Sequence, residues 1–157
     1  MMRRLVVVLV VVAATGIGVR ALRSGSPPAA TALPAATVVT VYKSPSCGCC
    51  AKWVDHLRAA GYTVVVHDTD DLDAVMTDFN VPRQLASCHT AKVGPYVVEG
   101  HVPADLIAKA LKEHPAIAGL AVPGMVTGSP GMEGGAPQSY DIVAWTVDGH
   151  TSVYAHR

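Results

Sequence analysis

Three of the four cysteines in this chain fall within four residues, Cys47-Gly48-Cys49-Cys50, and the fourth, Cys88, stands well apart. Such density does not make an ordinary disulfide framework. Adjacent Cys49 and Cys50 could bridge only through a strained ring, and a Cys47–Cys50 bridge leaves one thiol over. Thiols packed this closely suit a redox pair or a soft metal, because thiolate is both the nucleophile of disulfide exchange and the ligand for soft cations. A dithiol exchange needs two sulfurs, one attacking and one resolving. Cys47-x-x-Cys50 would serve, but Cys49 between them would invite wrong pairings. Four convergent thiolates instead favour a soft metal such as Cu(I), or tetrahedral Zn(II). Structural zinc sites use two separated cysteine knuckles, and Cys-x-Cys-Cys is not that pattern. Crowded sulfurs can bridge several Cu(I) ions, so a polynuclear site fits the spacing.

For Cys88 to join the cluster, the fold must bring it there. Thr37–Tyr42 is a β-branched run that reads as a buried strand, ended by Ser44-Pro45-Ser46. A helix is expected from about Gly48 to Ala60, with Cys50, Trp53, Val54 and Leu57 on one face and Gly61 as its stop. Tyr62–His67 reads as a second strand. Asp70–Phe79 reads as a short acidic helix with Leu72, Val75, Met76 and Phe79 as its apolar stripe. Ser87–Ala91 and Tyr96–Val98 read as strands joined at Gly94-Pro95. Ala104–His114 reads as a helix with Leu106, Ile107, Ala110 and Leu111 inward, and Pro103 is tolerated at its start. Gly119–Gly135 holds six glycines and two prolines and reads as a loop without core elements. Tyr140–Val147 and Thr151–Tyr154 flank Asp148-Gly149 as a hairpin.

This order of strand, helix, strand, helix, strand, strand, helix is that of a thioredoxin-like domain. The expected fold class is therefore α/β, a mixed sheet with flanking helices and an added C-terminal β-hairpin. In such a domain the first strand leads to Cys-x-x-Cys, with the second cysteine in the first helical turn. The third strand begins beside that site, so Cys88 should lie near Cys47, Cys49 and Cys50. The helix N-terminus adds unpaired N–H groups and a positive dipole end, which stabilise thiolates.

The rest of the 157 residues divides simply. Arg3 and Arg4 precede an uncharged run from Leu5 to Val19, centred on Val6–Val12. A basic start and an apolar run of this length read as a secretory signal. It is short for a spanning helix, which needs roughly 20 apolar residues. Arg20 and Arg23 follow, with no Ala-x-Ala site directly behind, so an uncleaved anchor is the alternative. Residues 1–23 are thus expected to be a signal peptide or N-terminal anchor, 24–36 a Pro/Ala linker, and 37–157 the folded domain. The formal net charge of zero hides an asymmetry: without residues 1–23, eight Lys and Arg face twelve Asp and Glu, a net −4. That balance disfavours nucleic acid or an anionic membrane surface as partner.

SPSCGCCAKWVDHL, SCHTA at Ser87–Ala91, EGHVPA at Glu99–Ala104 and GLAVPGM…GSPGME at Gly119–Glu133 occur in that order. In these motifs the chain resembles the CopG-like periplasmic metal-binding proteins, small bacterial proteins associated with copper resistance. The resemblance implies a thioredoxin-like fold, export to the periplasm and Cu(I) held by Cys47, Cys49, Cys50 and Cys88. The expected partners are copper ions and other periplasmic copper-handling proteins. The membrane is met only through the possible anchor.

The remaining chemistry-bearing residues have plainer readings. His89 should face away from Cys88 on a short strand and make a structural hydrogen bond, with a ligand role as the alternative. His101 reads as a turn or capping residue, and His56, His67, His114, His150 and His156 receive no role. Met125 and Met132 read as loop packing over the site, although thioethers are soft ligands. Trp53 reads as core, and Asp70, Asp71 and Asp73 as a solvated face with charges suited to a helix start. The function expected is capture of Cu(I) for copper resistance, with redox chemistry on copper or cysteine as an associated activity. The alternative is a thiol–disulfide oxidoreductase using Cys47 and Cys50. No His/carboxylate set with an open position supports a metal-dependent hydrolase.

Overall fold

The computed structural model describes residues 37–157; the expected signal or anchor at 1–23 and the linker at 24–36 lie outside the described residues. The elements run β1 (Val38–Lys43), α1 (Gly48–Ala59), β2 (Thr63–Asp68), α2 (Leu72–Asp78), a 3₁₀ turn (Arg83–Leu85), β3 (His89–Val93), β4 (Tyr96–Glu99), α3 (Ala104–Glu113), β5 (Gly119–Ala121), β6 (Asp141–Trp145) and β7 (Thr151–His156). All seven strands form one sheet in the order β2-β1-β3-β4-β5-β6-β7. β1 runs parallel to β2 and antiparallel to β3, and β4 runs antiparallel to β3. That is the thioredoxin-like arrangement, and β5 with the β6–β7 hairpin extends it. Among the described residues no helix is long and apolar enough to cross a membrane.

Alternation along the strands sorts side chains to two faces. Val39, Val41, Ala91, Val93, Val98, Leu120 and Ala144 pack with Trp53, Val54 and Leu57 of α1 and with Leu106, Ile107 and Ala110 of α3. Val97, Ala121 and Trp145 pack on the opposite face with Val81 and Leu85, where Met76 and Phe79 arrive half-buried. The apolar stripe of α2 is therefore shallower than expected, and none of its residues is fully buried. A seven-residue helix on a small second core has less surface to cover.

Local chemistry explains the helix ends. Cys47 is the N-cap of α1, its Sγ accepting the Cys50 N–H at 3.4 Å. At the other end Gly61, at φ +94°, completes a left-handed stop. The Tyr62 N–H reaches the Leu57 carbonyl and the Gly61 N–H that of Arg58, the paired bonds of a Schellman motif. Asp71 caps α2 through its Oδ1, which accepts the Ala74 N–H at 3.0 Å. It is thus a capping residue and more than part of a solvated face.

One expectation fails. Gly119–Ala121 is not loop but strand β5, fully buried between β4 and β6. Its glycine hid it from a reading based on composition. A Cβ at Gly119 would strike the Trp145 ring and the Val97 carbonyl, so only glycine lets that indole lie across the sheet. We expect Gly119→Ala to cost about 1–3 kcal/mol through overpacking, seen as a lower urea midpoint with unchanged slope.

Candidate metal centre

The site forms where the start of α1 meets the start of β3. Ser44-Pro45-Ser46 turns the chain out of β1, and the Cys47 N–H closes that turn on the Ser44 carbonyl at 3.1 Å. Cys47, Cys49 and Cys50 then occupy the cap and first turn of α1. β3 lies beside β1 with His89 opposite Lys43, which sets Cys88 against the helix start. All four sulfurs lie within 4.8 Å of one another, the convergence expected from the element order.

Cys50 is completely buried and its Sγ lies 3.4 Å from that of Cys88. Cys49 Sγ lies 3.5 Å from Cys47 Sγ. Cys47 and Cys50 are joined as a disulfide with Cα atoms 5.4 Å apart, while Cys49 and Cys88 are free thiols. The structure thus presents the oxidised state of the Cys-x-x-Cys pair. Burial first, then the charge of Cys49 beside it, pushes the Cys88 thiol up to about 12. A thiol so desolvated gives up its proton readily only to something that replaces it, as a bound cation does.

Two histidines complete the pocket, and both depart from their expected roles: His101 is more than a turn residue, and His89 turns toward Cys88 instead of away from it. His101 is fully buried, with Nε2 3.1 Å from Cys88 Sγ and Nδ1 2.7 Å from the Pro130 carbonyl oxygen. A carbonyl only accepts, so Nδ1 carries the proton and Nε2 turns its lone pair to Cys88. His101 is therefore no simple turn residue. His89, also fully buried, packs against Trp53 with ring centroids 4.3 Å apart, and its Nδ1 is 3.5 Å from Cys88 Sγ. Burial, then the neighbouring His101, pulls the His89 imidazole down to about 3, and burial lowers His101 as well. Both are neutral near pH 7 and can act as nitrogen donors. Cys88, His89 and His101 form a second ligand-capable group that shares Cys88 with the first.

The Gly/Pro loop does close over this pocket. Gly131, at φ +86°, lies so near α1 that a Cβ would come within 2.7 Å of the Cys49 carbonyl oxygen and 2.8 Å of the Trp53 nitrogen. Met132 beside it is half-buried, whereas Met125 is exposed. Of the histidines given no role, His56 accepts the Ala104 N–H at 3.1 Å, supplying the side-chain cap that Pro103 cannot.

Glu99 was also missed. It is fully buried, with Oε1 accepting the Ser87 N–H at 2.7 Å and Oε2 the Thr90 hydroxyl at 2.7 Å. This explains why β3 begins at His89 and not at Ser87: the Ser87 N–H is bound to a side chain instead of the ladder. The signal in the sequence is a carboxylate closing an apolar strand, Tyr96-Val97-Val98-Glu99, directly before Gly-His.

The comparisons agree with this architecture. A thioredoxin-like sheet carrying a thiol cluster at its first helix defines the class of protein. Residues 85–132 match the family described as "Protein of unknown function, DUF411". Two solved structures titled "Copper resistance protein copG", Form 2 and Form 1, are each 42% identical to this chain. They superpose with TM-scores of 0.74 and 0.73, covering 78% of this chain and 98% of theirs. The chain belongs to the CopG copper resistance protein family. No curated protein matches it.

Burial raises the Glu99 carboxyl to about 7, against the bonds from Thr90 and Ser87, which lower it. An acid raised in the folded state favours folding below its unfolded value near 4.5, and that contribution is lost as pH climbs through about 7. His89, held down to about 3 from its ordinary 6.5, acts oppositely between those two values and so over most of this range, and the test must be differential. Between pH 4.5 and 7 the stability of wild type relative to Glu99→Gln should fall by up to about 1.4 kcal/mol per pH unit. Chemical denaturation of both proteins across that range checks it.

Proposed function

We propose that this protein is an exported copper-binding protein of copper resistance that holds Cu(I) on Cys47, Cys49, Cys50 and Cys88. The observation that carries this reading is the mutual approach of four soft donors from two distant segments of the chain, all within 4.8 Å. Thiolates match Cu(I) in softness, and four sulfurs this close can bridge more than one ion. Family membership supports copper as the cargo, since the related structures are titled copper resistance proteins.

The bridge between Cys47 and Cys50 bears on how loading proceeds. Each disulfide sulfur must become a thiolate before it can bind Cu(I). That takes two electrons and two protons from a thiol reductant, after which the metal displaces the protons. The protein then takes copper in its reduced form. A loop held against α1 by Gly131 lies over one side of the cysteine site, where Cys47, Cys49 and Cys88 stay partly exposed and open to copper. The apolar run after Arg3 and Arg4 carries the export reading, and the handover partners are other copper-handling proteins of the same compartment.

A second reading has its own support. A Cys-x-x-Cys disulfide at a helix start is what a thiol–disulfide oxidoreductase carries in its oxidised state. Cys49 separates the two. In a copper cluster it is a required ligand, whereas in a two-thiol exchange it has no part. Cys49→Ala should abolish copper tolerance in cells and spare any insulin-reductase activity. Tolerance retained by Cys49→Ala but lost in Cys47→Ala would favour the oxidoreductase.

Anaerobic Cu(I) titration of the reduced protein tests the ligand set. Cys88→Ser should lower affinity about as much as Cys49→Ser; no change would remove Cys88 from it. For export, a reporter fused after Ala36 should appear outside the cytoplasm. Retention would reject the extracytoplasmic location, and export without loss of mass would indicate an anchor.

A further inference from the structure

Cys88 belongs to neither a helix nor a strand. It lies between the 3₁₀ turn and β3, where no ladder of hydrogen bonds holds it. Yet it is the sulfur that every other member of the site approaches. Something else must hold this peptide, and Glu99 is placed to do so. Its two oxygens accept from the residue before Cys88 and from Thr90, two residues after it, both at 2.7 Å. The next residue, Gly100, donates its N–H to the His89 carbonyl at 2.9 Å. Gly100 has φ +68°, and a Cβ there would strike the Ser87 side chain. Glu99, Gly100 and His101 thus grip the Cys88 segment at three points: the peptide N–H before it, the carbonyl after it and the sulfur itself.

We propose that Glu99 is a positioning residue for the metal centre, a buried carboxylate clamp that fixes Cys88 at the distance where its sulfur joins the other three. The inference rests on Cys88 being a Cu(I) ligand. Glu99 touches no sulfur, so it acts only through the peptide it holds. A carboxyl group suits the task because both oxygens meet a partner while its backbone stays in β4: Oε1 accepts the Ser87 N–H, and Oε2 pairs with the Thr90 hydroxyl, accepting when ionised and able to donate when protonated. Losing it would leave the half-buried Ser87 N–H and the buried Thr90 hydroxyl without partners, and the freed segment would drift toward water. Glutamine should replace it. The amide oxygen accepts from Ser87, and the amide N–H donates to the Thr90 oxygen, whose hydroxyl is free to rotate.

The experiment compares Glu99→Gln, Glu99→Met, Cys88→Ser and the double variant Glu99→Met/Cys88→Ser. Methionine fills the volume but accepts no such bonds. In anaerobic Cu(I) titrations Glu99→Gln should bind within about threefold of wild type, and Glu99→Met should lose at least about tenfold. The double variant should be no weaker than Cys88→Ser alone, because a clamp has nothing to position once the sulfur is gone. Without copper, iodoacetamide should label Cys88 at least about tenfold faster in Glu99→Met, relative to Cys49 in the same protein. If Glu99→Met fails to fold, Thr90→Val removes one arm of the clamp and should give a smaller change in the same direction.

Each other result is decisive. Unchanged binding and labelling in Glu99→Met would overturn the clamp. So would additive losses in the double variant, which would mark a general loss of stability. Loss of binding in Glu99→Gln equal to that in Glu99→Met would mean that the charge, and not the hydrogen bonds, is what matters. No effect of Cys88→Ser would instead reject the copper-ligand reading on which the proposal stands, and the labelling experiment would still report whether Glu99 holds the segment.

Discussion

The pairing of β1 with β3 governs the rest of this structure. Lys43 at the end of β1 stands opposite His89 at the start of β3, while the chain leaving β1 turns directly into α1. That one register sets Cys88 against the cysteines of the first helical turn. A slip of one residue would turn every side chain of β3 to the other face. His89 would leave Trp53 for the opposite core, and the small apolar Ala91 would follow it. The hydrophobic cost of that exchange is what holds the sulfurs together, so the site takes its accuracy from the core beneath it.

Around that register the polar groups are arranged to leave few donors idle. The Cys47 sulfur accepts at the helix start, Glu99 accepts from both flanks of Cys88, and the Pro130 carbonyl fixes the tautomer of His101. The Cys47 bond is local, those of Glu99 tie β4 back to the Cys88 segment, and that of His101 reaches the distant Gly/Pro loop. The extension after α3 therefore does more than lengthen the sheet. β5 covers β4, where Glu99 sits, and the loop that follows presses Gly131 onto the first turn of α1. The pocket is sulfur-rich on the helix side and nitrogen-bearing on the strand side. Cys88 stands at the border and touches both.

Much of this was legible from residue types and spacing. Cys50, Trp53, Val54 and Leu57 recur at helical intervals and are the buried face of α1; Gly61 stops that helix as glycine does. Strand and helix order announced the thioredoxin-like topology, and with it the approach of Cys88 to the Cys-x-Cys-Cys run. These features are local, or follow from a small set of allowed connections, and local pattern carries them. The short strand at Gly119–Ala121 was not legible, because a strand of three residues chosen to fit under an indole has neither β-branched composition nor alternation.

What the sequence determined by itself was the kind of chemistry: soft donors, too many for a simple dithiol, at a helix start. What only the tertiary structure decided was which polar residues serve them. Glu99 received no role and His101 read as a turn or capping residue, since nothing in spacing reveals that both are fully buried or that one faces Ser87 and Thr90 and the other Cys88. Burial depends on what packs above a residue, and here that is β5 and the Gly/Pro loop, which come later in the chain. A carboxylate or an imidazole gains its partner and its shifted proton affinity only when water is excluded. That exclusion is a property of the assembled fold.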